Sequence, residues 1–215
     1  VIFWDDVVLV TELINKYGLQ EPMVDLGGLP ASRVVIADYS ITMRGGGQHD
    51  RYLKLKENPF AHISKNYHIP NPENGDPFIE DMPERDKWGT ALCLSVLEHV
   101  RNPFAVFDGI FRIMRPGGLV ILSTEFSFPY HPSPEDNFRF SSNGLKILAE
   151  HAGFNILEHG WRLDINADMG IKEIHTGVSQ EIKSVYIAMS KGQLSEGIKS
   201  NFGLPKRYDK DGNEV

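Results

Sequence analysis

The sequence is almost free of cysteine. Its only cysteine, Cys93, excludes an internal disulfide and cannot by itself form a cysteine metal site. Cys93 lies inside an apolar run, so we interpret it as a packed core residue rather than a reactive thiol. A chain that forms no internal disulfide suits a reducing compartment, and we therefore expect a cytoplasmic protein.

Basic clusters and long apolar runs are lacking as well. The chain has 22 Lys and Arg against 29 Asp and Glu, a formal net charge of −7. Non-specific nucleic-acid binding depends on clustered Lys and Arg, so we expect no nucleic-acid partner. The apolar runs have the length of strands, and the first residues, VIFWDDVV, lack the basic start and cleavage site of a signal peptide. We expect no membrane partner and no signal peptide.

What the sequence does contain is the composition of one globular domain. It has 215 residues, of which 41% are hydrophobic and 24% charged. We place a single domain at residues 1–193 and a polar C-terminal tail at residues 194–215. The tail is glycine-containing, and we expect it to be extended, disordered or donated to a second subunit. A homodimer is compatible with that pattern.

Helical and extended patterns alternate along the chain. Val7, Val10, Ile14 and Tyr17 recur at helical spacing, and Gly18 is suited to end that helix. Continuous apolar runs are typical of parallel strands covered on both faces. The runs are MVDLG (23–27), RVVIAD (33–38), TALCLS (90–95) and GLVILS (118–123). The strand-like stretch FNILEHGWRL (154–163) follows, and SVYIAMS (184–190) closes the series.

Two further helices separate the later strands. Asn102 can cap the first, Pro103 suits its first turn, and an apolar stripe follows at Phe104, Phe107, Phe111 and Met114. The second begins at Ser141 and Ser142 and ends at Gly153. Such alternation predicts a doubly wound α/β fold, a mostly parallel sheet of about seven strands with helices on both faces. Ligands of such sheets bind beyond the carboxyl ends of the strands.

The stretch MVDLGG lies where a ligand would bind. Asp25, Gly27 and Gly28 end the first predicted strand, where missing side chains let a ligand approach the backbone. Asp38 ends the second strand, where a carboxylate can accept hydrogen bonds from both ribose hydroxyls. The alternative is that the two glycines only form a tight turn.

Three pieces of the middle region add a family resemblance. VLEHV (96–100), RIMRPGGLVILS (112–123) and the helix ending in AGF (152–154) occur in that order. With them, the chain resembles the class I S-adenosylmethionine-dependent methyltransferases from about Asp25 to Lys191. Residues 41–75 and 164–184 match little of the family. The resemblance implies a Rossmann-like fold and S-adenosylmethionine as cofactor.

The resemblance also implies roles for particular residues. Asp25, Gly27 and Gly28 look like the turn that holds the methionine part of the cofactor, and Asp38 looks like the ribose-binding acid. The family's third glycine is absent, and Asp38 follows Asp25 too closely for a full first helix. Residues 78–83, FIEDMP, stand where the family contacts adenine, although Phe78 replaces its usual Asp. The remaining implied cofactor contacts are Ile79, Glu80, Ser95 and Leu97.

Methyl transfer from a sulfonium mainly requires the nucleophile, the methyl group and the leaving sulfur to be held in line. A hydroxyl or amine acceptor must also lose a proton. His99 and His131 are the candidate bases, with Glu135 and Asp136 as further carboxylates. Alternatively, His99 only packs beside the cofactor loop. Glu98 is expected to orient that loop.

The stretch STEFSFPYHPSPEDNFRFSS (123–142) is longer than a simple connection and is typical of a lid over a substrate. We assign Tyr130, Asp136 and Arg139 to the acceptor, because Arg139 can bind a carboxylate or phosphate bidentately. In the alternative, the stretch is a rigid surface loop in which Arg139 pairs with Asp136. A metal held by His131, Glu135 and Asp136 is disfavoured, because such loop residues are usually only solvated.

The sequence thus predicts a methyltransferase acting on an oxygen or nitrogen of a small-molecule acceptor. One alternative is a catalytically inactive cofactor-binding or protein-interaction domain with the same fold. A nicotinamide-dependent oxidoreductase is disfavoured because the first turn lacks a G-x-G-x-x-G spacing.

Overall fold

The computed structural model describes residues 4–26, 40–43, 51–54, 67–68, 78–128, 130, 135–163 and 182–204. Three α-helices are described: α1 Trp4–Tyr17, α2 Pro103–Ile113 and α3 Ser142–Ala152. A short 3-10 helix spans Ile79–Asp81. The strands are β1 Met23–Asp25, β2 Ser40–Met43, β3 Arg51–Lys54, β4 Tyr67–His68, β5 Trp88–Leu94, β6 Met114–Glu125, β7 Asn155–Leu163 and β8 Ile182–Ser190.

The main sheet has six strands in the order β4-β1-β5-β6-β8-β7. Strands β4, β1, β5 and β6 run parallel, whereas β8 is antiparallel to both β6 and β7. Strands β2 and β3 form a separate antiparallel pair. The predicted Rossmann-like α/β fold is confirmed, with six described strands in the main sheet instead of about seven. The strand predicted at residues 33–38 lies outside the described residues.

Both faces of the sheet are covered, as the continuous apolar runs predicted. Leu92 and Leu94 of β5 pack in the cluster that contains α1, while Ala91 and Cys93 pack in the cluster that contains α2 and α3. Successive side chains of a strand point to opposite faces. A strand buried on both sides is therefore apolar on both faces, which explains why β5 shows no alternation; its buried Thr90 hydroxyl accepts a 3.0 Å hydrogen bond from the Gln20 amide.

The helix termini follow the expected local chemistry. Gly18 ends α1 with a φ of 88°, and Gly153 ends α3 with a φ of 92°, a left-handed conformation that glycine adopts without steric cost. The Asn102 side chain caps α2 by accepting a 3.2 Å hydrogen bond from the Ala105 amide. Ser141 caps α3 in the same way, with a 3.1 Å bond from the Gly144 amide.

The predicted apolar stripe of α2 is wrong at its first position. Phe104 is 43% exposed and contacts the ring of His151 edge-on, at a centroid distance of 4.9 Å. Phe104 lies in the first turn of α2, beside α3 rather than over the sheet, and Met114 already belongs to β6. The residues of α2 that are fully buried against the sheet are Val106, Phe107, Ile110 and Ile113.

The C-terminal segment packs on the domain over its described part, residues 194–204. The amide of Leu19 donates to the Ile198 carbonyl at 3.0 Å, and the amide of Ile198 donates to the Leu19 carbonyl at 2.7 Å. Gly18 and Gly197 meet so closely that a Cβ on Gly197 would lie 2.6 Å from the Gly18 carbonyl carbon. Residues 194–204 have no regular secondary structure, and backbone hydrogen bonds hold them against the end of α1, so the tail is packed here rather than disordered. None of the helices in the described part of the chain is long and apolar enough to cross a membrane.

Candidate functional site at the carboxyl edge of the sheet

The carboxyl ends of β1, β5 and β6 form one edge of the sheet. The parallel register pairs Asp25 with Leu92 and Leu94 with Ser123. Asp25 is 2% exposed, and the amide of Leu26 donates to the Leu92 carbonyl at 2.7 Å, which fixes the start of the turn after β1. Asp25 therefore lies where the sequence predicted a cofactor turn. Three more predicted cofactor residues lie outside the described residues: Gly27, Gly28 and Asp38. The candidate base His131 also lies outside them.

Ser95 redirects the chain at the end of β5. It has a φ of 52°, a conformation that is unfavourable for a residue with a Cβ. Its amide donates to the Ser123 carbonyl at 2.9 Å, and its hydroxyl lies 3.5 Å from Glu125 Oε1. These contacts join the end of β5 to the end of β6. The predicted cofactor residue Ser95 is thus at the same edge as Asp25.

Two of the other predicted cofactor residues, Ile79 and Leu97, lie in the core, while Glu80 is half-buried. Ile79 is 4% exposed and Leu97 fully buried, and both belong to the core cluster under α2. The guanidinium of Arg112 donates to the carbonyl of Glu80 at 2.8 Å, which fixes the 3-10 helix on α2. The adenine contact assigned to Ile79 and Glu80 remains a prediction.

Glu98 joins three segments, as expected of a residue that orients the loop. Its side chain is 1% exposed, and its Oε2 accepts a 2.7 Å hydrogen bond from the Thr124 hydroxyl on β6. Its main-chain carbonyl accepts from the amides of Asn137 at 2.6 Å and Phe138 at 3.1 Å. Glu98 therefore connects the turn after β5, the end of β6 and the segment before α3.

The surroundings of His99 determine its tautomer. Its Nδ1 lies 2.8 Å from the carbonyl oxygen of Glu135, which can only accept, so Nδ1 bears the proton of that bond. In the neutral ring the lone pair is then on Nε2, which lies 3.7 Å from Glu98 Oε1. A base at this position would act through Nε2.

The two acceptor candidates Asp136 and Arg139 are paired with each other. Arg139 donates from Nη2 to Asp136 Oδ2 at 2.7 Å and from Nη1 to the other carboxylate oxygen, and the Asp136 side chain is 1% exposed. The hydrogen bond to Asp136 raises the pKa of Arg139. The predicted alternative pairing is present. An anionic acceptor would have to compete with Asp136 for the guanidinium.

Cys93 lies completely buried on β5, below this edge. Burial raises the pKa of the Cys93 thiol far above its usual value, and the charges of Asp25, Glu98 and Glu80 raise it further. The interpretation of Cys93 as an unreactive core residue is supported by its complete burial. Among the described residues, no group of three or more His, Cys, Asp or Glu side chains could hold a metal ion.

Some residues of the edge were not singled out from the sequence. Three residues that are distant in sequence from the turn after β5 are brought into hydrogen-bonding contact with it by the fold: Thr124, Glu125 and Asn137. Thr124 and Glu125 follow the apolar run of β6 directly, and two polar residues at the end of a predicted parallel strand are a signal that could have indicated them. Asn137 gives no such signal, while Tyr130, which was predicted, is 73% exposed.

Comparison with known proteins identifies the family. A family model described as "Methyltransferase domain" matches residues 31–159, more than half of the chain. The chain belongs to this methyltransferase-domain family. The predicted resemblance to S-adenosylmethionine-dependent methyltransferases is thereby confirmed, and the match supports the predicted enzyme class and cofactor.

Individual relatives are more distant. Ubiquinone biosynthesis O-methyltransferase of Pseudomonas fluorescens is 44% identical over 45 residues, which span 21% of this chain and 18% of that protein. The Bacillus subtilis YcgJ structure has a TM-score of 0.51 at 11% identity and covers 88% of this chain and 99% of its own. Haemonchus contortus phosphoethanolamine N-methyltransferase 2, in complex with S-adenosyl-L-methionine, has a TM-score of 0.51 at 10% identity, covering 88% and 53%. The structural similarities establish the fold.

The described residues fit the methyltransferase cofactor. S-adenosylmethionine is cationic at its sulfonium and ammonium groups, and the edge it would occupy contains the nearly buried carboxylates of Asp25, Glu98 and Glu125. A cationic ligand is electrostatically complementary to such an edge. Asp25 and Ser95 are the described residues that would hold it, and this assignment remains a prediction from the sequence.

Proposed function

We propose that the protein transfers a methyl group from S-adenosylmethionine to an oxygen or nitrogen of a small-molecule acceptor. The observation that supports this most is that the cofactor-side residues Asp25 and Ser95 share one sheet edge with the acceptor-side residues His99, Asp136 and Arg139. Methyl transfer requires donor and acceptor to meet, and a single edge that contains both sets of residues meets that requirement.

The chain's own residues have distinct tasks in this proposal. The cofactor supplies an electrophilic methyl group when it is bound. Asp25 and Ser95 hold and orient it at the ends of β1 and β5. His99 Nε2 removes the acceptor's proton, because Nδ1 is committed to the Glu135 carbonyl. Tyr130 contacts the acceptor from the segment after β6.

The nature of the acceptor is inferred from the relatives and from charge. The Pseudomonas fluorescens relative is named an O-methyltransferase of ubiquinone biosynthesis, which supports an oxygen acceptor of small size. The net charge of −7 argues against nucleic acid as the acceptor. A cytoplasmic location and a homodimer remain predictions from the sequence.

The first test is calorimetric titration of S-adenosylmethionine and S-adenosylhomocysteine into the purified protein. We expect saturable binding that Asp38→Ala weakens about 10- to 100-fold, because hydrogen bonds to a charged group contribute about 1.5–3 kcal/mol. Asp108→Ala is the matched control, since Asp108 is an exposed carboxylate of α2. A folded protein that binds neither ligand would refute the proposal.

The second test adds an acceptor panel of phenol, catechol and benzylamine with radiolabelled cofactor. Transfer of label to a hydroxyl or amine of one panel member supports the proposal and identifies the methylated atom. Cofactor binding without transfer to any member would contradict this acceptor class and favour an inactive cofactor-binding domain.

A further inference from the structure

Two segments that are far apart in the sequence are hydrogen-bonded to each other beside the candidate site. The first is the turn 98–100 after β5, and the second is residues 135–138, ahead of α3. The carbonyl of Glu98 accepts from the amides of Asn137 and Phe138, and His99 Nδ1 bonds to the Glu135 carbonyl. We call this set of contacts the 98/137 latch.

Asn137 is at the centre of the latch. Its amide donates to Glu98 at 2.6 Å, and its side-chain Nδ2 lies 3.1 Å from the His99 carbonyl and 3.4 Å from the Val100 carbonyl. Asn137 is exposed, so its side chain contributes no core packing. Its contacts are therefore those of a residue that fixes the position of two main chains.

The segment that Asn137 holds is adjacent to the acceptor candidates. Asp136 and Arg139 flank Asn137, and Arg139 Nη2 donates to the Phe128 carbonyl at 3.1 Å. The Phe140 amide donates to the Glu125 carbonyl at 3.4 Å. The described ends of the segment after β6 are thus joined to each other, and Asn137 ties the second of them to the turn that bears His99.

We propose that Asn137 is a positioning residue, which holds the acceptor-side segment against the His99 turn so that an acceptor is presented to His99 Nε2. This inference rests on the proposed function. The latch lies on the acceptor side, whereas the cofactor-side residues Asp25 and Ser95 belong to other contacts. Loosening the latch will therefore weaken acceptor binding while cofactor binding is kept.

The test compares Asn137→Leu with the wild type. Leucine has a similar size but no donor for the two carbonyls. We expect amide exchange at Phe138 to accelerate about tenfold and the acceptor KM to rise about tenfold, as for loss of a hydrogen bond near the upper end of its usual range. The Kd of S-adenosylmethionine should stay within about twofold, since Asp25 and Ser95 belong to other contacts, whereas kcat should also fall because the acceptor and His99 Nε2 are less well aligned. The acceptor is the best member of the phenol, catechol and benzylamine panel.

Two companion variants sharpen the comparison. Asn137→Asp keeps the shape but can only accept, so it should reproduce the effects of Asn137→Leu, and it replaces that variant if leucine prevents folding. Lys146→Gln is the control outside the latch. It removes the exposed ion pair between Lys146 and Glu150 on α3, whose side chains are 45% and 55% exposed, and should change none of the readouts.

The outcomes are distinguishable. Unchanged exchange at Phe138, or faster exchange with an unchanged acceptor KM, overturns the positioning role. Equal losses of cofactor and acceptor affinity also overturn it, because they indicate a general folding defect. If the wild type binds cofactor but methylates no panel member, the proposed function fails. Unchanged exchange at Phe138 would then still overturn the latch on its own.

Discussion

At the scale of single residues, His99 is where the structure makes catalysis testable. In His99→Asn, the short amide can still donate to the Glu135 carbonyl in place of Nδ1, but nothing remains at the position of Nε2. We expect kcat to fall about 100-fold, within the range for loss of a general base, with little change in cofactor affinity. Steady-state kinetics and calorimetry measure the two quantities.

The converse result would change the role of His99. If His99→Asn retains most of the activity while His99→Ala loses both activity and stability, then His99 serves only to tie Glu135 in place. That outcome would restore the alternative in which this histidine is a packing residue.

We expect the hydrogen-bonded carboxylate of Glu158 to make a pH-dependent contribution to the stability of the folded protein. It accepts hydrogen bonds from Tyr17 at 2.6 Å and from Tyr186 at 3.3 Å, and it pairs with Lys16. Burial would raise the pKa of Glu158, but the hydrogen bonds from Lys16 and Tyr17 outweigh it and hold the pKa below its usual value. A lowered folded-state pKa adds stability above the unfolded pKa of about 4.3 and loses it as pH falls through the folded value.

Glu158→Gln should therefore cost about 1 kcal/mol at pH 7, and the difference from wild type should shrink below about pH 4. Urea unfolding at several pH values measures it. The control is Glu150→Gln, which removes an exposed pair with Lys146 and should cost little. If the difference in free energy of unfolding between Glu158→Gln and wild type does not depend on pH, the negative charge of Glu158 does not stabilise the folded protein.

At the scale of elements, the cap of α3 tests the local rule that begins this helix. Ser141→Ala removes the oxygen that accepts from the Gly144 amide. We expect a loss of about 1 kcal/mol in the free energy of unfolding, the usual cost of an N-cap residue. Ser141→Asp keeps an acceptor and should remain close to wild type in the same denaturant titration. Equal losses in both variants would mean that Ser141 packs rather than caps.

At the scale of the whole molecule, the C-terminal segment closes the domain at the end of α1. In Gly197→Ala, a Cβ would lie 2.6 Å from the Gly18 carbonyl carbon, and main-chain atoms cannot move aside cheaply. We expect a cost of about 2 kcal/mol from overpacking, or about 4–8 °C in Tm for a chain of this size. Differential scanning calorimetry gives the shift.

The same segment offers a matched control. Gly203→Ala places its Cβ where no atom lies within 4 Å among the described residues, so its Tm should stay near that of wild type. If Gly197→Ala is equally silent, residues 194–204 do not hold the domain together and behave as the tail that the sequence predicted.

Features that depend on neighbours along the chain could be predicted from the residue pattern alone. Gly18 and Gly153 end their helices because a left-handed residue is needed there, and Asn102 and Ser141 begin theirs because an adjacent side chain satisfies free amides. The uninterrupted apolar run of β5 determined that both faces of the sheet are covered.

Contacts between residues distant in sequence depend on the three-dimensional fold and could not be predicted from the residue pattern. It placed Phe104 beside His151, joined Asn137 to the turn of Glu98, and laid Ile198 against Leu19. These contacts use exposed rings, ordinary polar groups and main-chain amides, which have no periodicity and can bind many partners. Which partner they meet is set by the packing of α2, α3 and the sheet, because a hydrogen bond forms only where the fold brings donor and acceptor within reach.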